Sequence, residues 1–565
     1  MHPKDCDFVH HLNTSQAQCE FVQNNPDCQS DGGFIDYIDF YFCSESHHQY
    51  LALAAFVLWI LVLFVALATS ADDFFCPNLA VISRTLRLSH NIAGVTILAF
   101  GNGAPDIFSS LAGISQARPE LVLGELFGAG VFVTTVVSGA TCITKPFKLM
   151  ERPFLRDVIF YLGAGFWAFW IFYSGKIHLY EALGFLGLYL VYIVVVLVGR
   201  LVHHRQRRSE SLLRANHLFE DSSESSSNSN LNIFIPNETL IEDPPVTEDD
   251  ELENQDDSEI PNTEILARPN PSPSLSNIED PHEPQEPYMK FYKAFLPMDM
   301  GLLRSGEVSI VRKIWEVVRS PVVFLLNLTV PVVNDDLEDG SWCQHMAIIQ
   351  CLIAPQFVIF AVSVAFTPIF QSVNLWELMI MIGQALAIFI LCTSSPNYPP
   401  RYHALLAYVG FGVSVIWIYL IANEIVSLLK TVGVLFGLSD AILGLTVLAW
   451  GNSIGDLITN TSMAKQGYPR MGYSACFGGP LFNLLLGIGI PFTKALIQNG
   501  NRPISLEFNP MVMVLSASLG VALLTSFVMM PLSKFRASRT HGFVLIGLYL
   551  ALLTAAIFVE FKVTY

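Results

Sequence analysis

Two short stretches hold the residues best suited to chemistry. Residues 94–106 read GVTILAFGNGAPD and residues 444–456 read GLTVLAWGNSIGD, each within a long apolar run. At a fixed offset of 350, seven of the 13 positions are identical, and the identities include Gly, Asn and Asp as well as Leu and Ala. Asn102 and Asp106 are four residues apart, as are Asn452 and Asp456, so each pair shares a helix face. Gly101, Gly103 and Pro105 weaken the backbone hydrogen-bond ladder of the first helix, and Ser453 and Gly455 loosen the second. Carbonyls freed at membrane depth persist only where they line a cavity or bind something. The result is an all-oxygen site with two formal negative charges. Ca2+ takes about six to eight such ligands. Two carboxylates balance one Ca2+, or hold monovalent cations or protons in its place. Neither motif contains His or Cys, which argues against a soft transition metal. The competing reading is structural: an Asp or Asn hydrogen-bonding to a neighbouring helix.

Other residues extend this set. Asn483 lies four residues beyond Gly479, in a stretch reading Gly478-Gly479-Pro480; it completes the cage, or the glycines serve close helix packing. Thr96 and Thr446 offer hydroxyls as ligands or as caps on backbone carbonyls. Glu125 aligns with Ala475 and has no acidic counterpart there. It reads as a titrating group at the membrane edge or as part of a 115–125 connection.

The elements that must position these groups follow from composition. The 565 residues are 52% hydrophobic and 14% charged, and apolar runs of bilayer-spanning length recur. The expected class is an all-α polytopic membrane protein; the alternation of a membrane barrel is missing. The net charge of −18 is local, because residues 220–286 hold 19 acidic residues and only Arg268 as a base. It is therefore no signal for nucleic acid.

Apolar segments fall near 50–69, 78–113, 120–145, 154–174 and 178–202, then near 343–367 and 374–394. Five more follow near 404–429, 432–463, 470–496, 510–532 and 540–561. A short stretch at 321–333, with Pro331, would lie at the interface or re-enter. With the N-terminus outside, the inner connections of the first half hold eleven Lys and Arg against three outside. The second half has the same bias if it begins inside. Five crossings per half then run in opposite senses, giving two inverted five-helix repeats with about two extra central crossings. The implied divisions are a tail at 1–48, a first half at 49–203, an acidic disordered loop at 204–319, a linker at 320–400 and a second half at 401–565.

Cys6, Cys19, Cys28 and Cys43 in the tail suggest two disulfides of unspecified pairing, with free thiols or a metal cluster as the alternative. Asn13-Thr14-Ser15 is a sequon. Ser209 and Ser211 follow Arg207 and Arg208, which fits a kinase site and, better, a basic membrane flank. The start, Met1-His-Pro-Lys-Asp, reads as neither signal peptide nor Arg-rich presequence, so targeting would be internal or carried by a leader outside this chain.

At the repeated motif the chain resembles the cation/calcium exchanger superfamily. Asn25-Pro26-Asp27-Cys28, Phe74-Phe75-Cys76-Pro77-Asn78-Leu79, Leu88-Ser89-His90-Asn91, Gln466-Gly467-Tyr468-Pro469-Arg470-Met471 and Ser474-Ala475-Cys476-Phe477-Gly478-Gly479 resemble one branch of it, the mitochondrial sodium/calcium (lithium-tolerant) exchangers. The resemblance implies a sodium/calcium exchanger-like fold and alternating access. It implies Ca2+ extrusion from the matrix against Na+ or Li+, in the inner mitochondrial membrane, with no cofactor and no enzymatic activity. Both termini would face the intermembrane space and the acidic loop the matrix. Family transport residues carry over onto Asn102, Pro105, Asp106, Asn452, Ser453, Asp456, Gly479 and Asn483. Pro480 stands where the branch has an aliphatic residue, and Glu125 where it has a small one. Rival readings are a Ca2+/H+ exchanger, a calcium channel and an intramembrane aspartyl protease.

Overall fold

The computed structural model describes residues 6–12, 14–25, 28, 34–44, 49–86, 99–199, 291–292, 295, 310–333, 341–362, 368–370, 373–396, 398–467, 469–506 and 510–564. The sequon at Asn13, residues 204–290 of the acidic loop, with Ser209 and Ser211, and Thr96 lie outside these residues. Contacts gather the chain into one large unit, Met1–Ile193 with His282–Tyr565, and a small one, Val194–Pro281. Of the small unit, only residues 194–199 are described.

Among the described residues, eleven helices are long and apolar enough to cross a bilayer. The first half comprises α1 (49–85), α2 (Ala99–Ser115), α3 (119–144), α4 (Glu151–Ser174) and α5 (Leu179–Gly199). The centre holds α6 (Ile310–Thr329), α7 (Gln344–Ala361) and α8 (Leu375–Thr393). The second half comprises α9 (His403–Phe436), α10 (440–466), α11 (Pro469–Gln498), α12 (Pro510–Leu532) and α13 (Arg539–Thr564). With α2, which has 17 described residues, the pattern is five, two and five crossings.

Two boundaries differ from the sequence expectation. The runs near 50–69 and 78–113 do not divide between 69 and 78. Instead α1 continues as an α-helix to Thr69, a π-helical turn over Ser70–Phe75, and an α-helix from Cys76 to Thr85. Asp72 and Asp73 therefore belong to a spanning helix and not to a connection. Pro77, which donates no backbone hydrogen bond, stands two residues past the wide turn. Similarly, α9 runs on to Phe436 and stops at Gly437, whose φ of 61° gives the left-handed cap that a side chain would resist.

The stretch at 321–333 is the end of α6, which begins at Ile310, inside the span assigned to the acidic loop. This amphipathic helix is not among the spanning helices. It packs on α1 and α7, and Arg319 pairs with Asp73 of α1. The chain leaving it is held by Asn78 of α1, which donates to the Pro331 carbonyl at 3.0 Å and accepts from the Val333 N–H at 3.0 Å. Between α7 and α8, β3 (Pro368–Phe370) and β4 (Val373–Asn374) form a small hairpin.

The inversion of the halves is visible in two further strand pairs. β1 (Phe147–Lys148), in the α3–α4 connection, pairs with β6 (Arg536–Ala537), in the α12–α13 connection. β2 (Lys176–Ile177), in the α4–α5 connection, pairs with β5 (Ile504–Ser505), in the α11–α12 connection. Successive connections of a spanning bundle lie on opposite faces. A third-to-fourth connection can meet the other half's fourth-to-fifth connection only if the two halves run in opposite senses.

Burial separates core from rim. In its most apolar window α3 is 89% buried and α11 72%, against 22% for α5 and α13. The centre is a close crossing of α3 with the start of α10. A Cβ on Gly128 would lie 2.7 Å from the Leu445 Cα, and one on Gly444 would lie 2.7 Å from the Glu125 backbone nitrogen. Only glycine allows backbones to approach this closely in a membrane.

The tail is stapled by Cys6–Cys28 and Cys19–Cys43. It buries Val9, Val22, Ile38 and Phe42 against Val434 near the end of α9. Glu424 of α9 accepts from the Tyr37 hydroxyl at 2.8 Å and from the Phe34 N–H. The tail and the end of α9 thus share a face.

The register places Lys148 opposite Arg536. Cysteines at these two exposed positions should cross-link under mild oxidation, whereas cysteines at Lys148 and Ser505 should not. Non-reducing electrophoresis after cleavage of the 200–290 region reads this directly, and the reverse result would mean parallel halves.

Candidate cation site

The second helix of each half carries the repeated motif, and the third helix of the other half closes on it. α2 packs along α11, and α10 crosses α3. Pro105 sits inside α2 and removes the donor that would meet the Gly101 carbonyl. Here α2 is nonetheless helical through the motif. In the second half the departure from α-geometry is a π-helical turn over Gly444–Leu448, at the start of the repeated stretch and ahead of Asn452, Ser453 and Asp456. Such single wide turns often accompany functional sites.

Asp106 is buried, with 6% of its surface exposed. Its Oδ2 accepts from the Asn483 side-chain amide of α11. Gly103, one turn earlier on α2, makes room for this contact, since a Cβ there would collide with the Asn483 Oδ1. Glu125, on α3, is fully buried. Its Oε1 accepts from the Asn452 Nδ2 of α10 at 2.6 Å and from the Ser109 hydroxyl of α2. The Ser109 hydroxyl also lies 3.0 Å from the Asp106 carbonyl and 3.2 Å from the Asn452 Nδ2, so it joins the two carboxylates' surroundings. Asp456 is half-buried on α10, close enough to Asp106 and to Asp72 of α1 for their charges to interact.

Buried side-chain oxygens without a hydrogen-bond partner among the described residues include Asp106 Oδ1, Glu125 Oε2, Asn452 Oδ1, Ser453 Oγ and Asn483 Oδ1. Leaving such a group unmet costs roughly 1–3 kcal/mol, more for a charged one. Oxygens from both halves with free lone pairs are the ligand set of a hard cation.

The structure therefore brings together Asp106, Asn452, Ser453 and Asn483, with Asp456 within electrostatic reach. Gly479 leaves open space where a side chain would be, in keeping with a path beside the site. Pro480 does not break α11, which runs through it and through Pro491. The Thr446 hydroxyl donates to the Ile442 carbonyl at 2.7 Å, so it caps its own helix. The side chain of Asn102 lies outside the described residues. Glu125 is neither at the membrane edge nor in a connection: α3 begins at Pro119, and the carboxylate is in the middle of the site.

Three contributors were not apparent from the motifs. Ser109 lies one turn beyond Asp106, a signal available by spacing alone. Asp72 was concealed by the π turn that keeps α1 continuous. Gln116, just past α2, donates to the carbonyl and side-chain oxygen of Asn423 at 3.1 and 3.3 Å, anchoring the motif helix to α9.

Comparison with known proteins agrees with this architecture. The sequence model of the family described as sodium/calcium exchanger protein matches residues 56–198 and 406–558. These are the two five-helix halves. The mitochondrial sodium/calcium exchanger protein of Rattus norvegicus is 40% identical over 99% of this chain and 90% of its own length. That of Homo sapiens is 39% identical over the same shares. Cation/calcium exchanger 1 of Arabidopsis thaliana is 29% identical over 96% of this chain and 87% of its own.

Removing the amide that meets Asp106 should weaken cation binding. Asn483→Ala is expected to raise the Ca2+ dissociation constant about tenfold or more, equivalent to about 1.4 kcal/mol, as read by calorimetric titration of detergent-purified protein. Gly103→Ala should act in the same direction by displacing Asn483.

Proposed function

The chain belongs to the sodium/calcium exchanger family, and from that premise we propose that it extrudes Ca2+ across the inner mitochondrial membrane in exchange for Na+ or Li+. The supporting observation is the composite site. A carboxylate of one half is held by an amide of the other, and further buried side-chain oxygens of both halves have no hydrogen-bond partner among the described residues.

The physical logic is direct. A bare divalent ion cannot enter hydrocarbon, so it must exchange its water for protein oxygens. Asp106 and Asp456 supply two negative charges, and Asn452, Ser453 and Asn483 supply neutral oxygens. Emptied of Ca2+, the same carboxylates repel one another, and monovalent cations relieve that repulsion. Loading by one ion species therefore excludes the other. Because the ligands come from inverted halves, a tilt of one half against the other changes which face reaches them. Under this reading the residues carried over from the family, Asn102, Pro105 and Gly479 included, line the ion path. The tail and both termini face the intermembrane space, and the acidic loop faces the matrix.

The test is efflux of radiocalcium from liposomes containing the purified protein, on addition of Na+, Li+, K+ or a proton gradient. Efflux should require Na+ or Li+ and fall to the background of empty liposomes in Asp106→Asn and Asp456→Asn. Efflux driven only by protons would establish Ca2+/H+ exchange, and efflux indifferent to any opposing cation would establish a channel.

A further inference from the structure

A cavity of about 290 Å³ opens where α2 and α11 end. Ile114 and Ser115 line it from α2, and Pro491, Lys494 and Gln498 from α11, with Asn499 just past it. These are the helices that carry Asp106 and Asn483. Ile114 lies eight residues beyond Asp106 and Pro491 eight beyond Asn483, a rise of about 12 Å along a helix in each case. The cavity thus lies about two helical turns beyond the cation site. Its side of the molecule is that of the tail: Gln116, next to Ser115, bonds to Asn423 of α9, and the neighbouring Glu424 is buried under the tail's Tyr37.

Among the residues lining the cavity, Lys494 alone is charged. Its ammonium stands 5.8 Å from the centre of the Tyr419 ring of α9, a contact that orders the side chain and leaves the charge in place. Among the described residues it forms no ion pair. Arg118 and Asp440, also on the tail's face, pair with one another at 2.9 Å. A fixed positive charge on the approach to a cation site hinders every ion that enters, but not equally. Repulsion scales with the charge of the ion, so if Lys494 lowers the local Na+ concentration by some factor, it lowers that of Ca2+ by the square of the factor. From this placement we propose that Lys494 is a specificity-determining charge, which disfavours Ca2+ against Na+ among ions arriving from the tail's face. The inference rests on the exchange reading given above, in which Ca2+ leaves and Na+ enters through that face. Released Ca2+ is then cleared from the cavity, while Na+ is held back less. The competing role is structural, with Lys494 favouring the C-terminal end of α11 and packing on Tyr419.

The test uses the full chain in liposomes loaded with radiocalcium and selected for outward tails by an affinity tag on the N-terminus. Na+-driven efflux is followed against Na+ and against unlabelled Ca2+ added outside. It is measured at low ionic strength and again in about 1 M choline chloride, where the screening length falls to about 3 Å. Lys494→Gln should lower the outer Ca2+ needed for half-inhibition about threefold and the Na+ needed for half-activation less than twofold. Lys494→Glu loses the Tyr419 contact equally but reverses the charge, so the two shifts should grow to about tenfold and about threefold. Lys494→Arg should match the wild type, and choline chloride should bring all variants together. Half-saturation by Ca2+ inside should stay within about twofold, which reports an intact site. Equal outer Ca2+ inhibition in the wild type and Lys494→Glu would overturn the proposal, and Lys494→Gln carries the same test if Lys494→Glu does not fold. Equal factors for the two ions, or shifts that survive choline chloride, would overturn it in favour of the structural role. Failure of the exchange reading would show in the wild type itself, as efflux that ignores Na+.

Discussion

A carboxylate in the middle of a bilayer must be met by groups on other helices, and that requirement shapes this molecule. Asp106 cannot be satisfied from α2 alone. Its partner, Asn483, stands on α11, which is 377 residues away in sequence. Bringing that amide to the carboxylate requires the two halves to interleave, and interleaving requires backbones to approach where side chains would block them. The glycines at 103, 128 and 444 allow that approach. The strand pairs between connections on both faces then fix the halves as one bundle. Opposite orientation of the halves is thus a consequence of where the charged groups must meet.

Much of this was legible in the sequence for a physical reason. Gly, Asn and Asp are costly in an apolar helix, so their recurrence at one offset stands out against a background of Leu and Val that chance can match. Lys and Arg report the sense of each crossing because charged loops resist translocation, and the strand pairings agree with the relative inversion they imply. Asp106 and Asn452 stand out by type and spacing, and in the structure they hydrogen-bond to Asn483 and Glu125 of the opposite halves.

The rest was obscured for equally physical reasons. Asp72 and Asp73 looked like a polar connection, since hydropathy cannot distinguish a break in a helix from a π turn that carries polar residues through it. The loosening expected at Ser453 and Gly455 lies instead over Gly444–Leu448, where a wide turn redistributes the backbone hydrogen bonds. Glu125 was compared with Ala475, its aligned counterpart, and found unmatched. Its counterpart in space is Asn483. Two helices can present equivalent groups from different turns, and a fixed offset cannot see this. The tail's pairing of Cys6 with Cys28 and Cys19 with Cys43 depends on its packing against α9, which spacing does not encode.

The contacts of Asp106 with Asn483 and of Glu125 with Asn452 divide carboxylate and amide unequally between the halves. In the first half both members, Asp106 and Glu125, are acidic; in the second both, Asn452 and Asn483, are amides. Two copies of the first half, assembled about the same axis, would set acid against acid. Two copies of the second would set amide against amide and leave Asp456 as the carboxylate of each copy. Because the members are unequal, each half completes these contacts with the other half and not with a copy of itself.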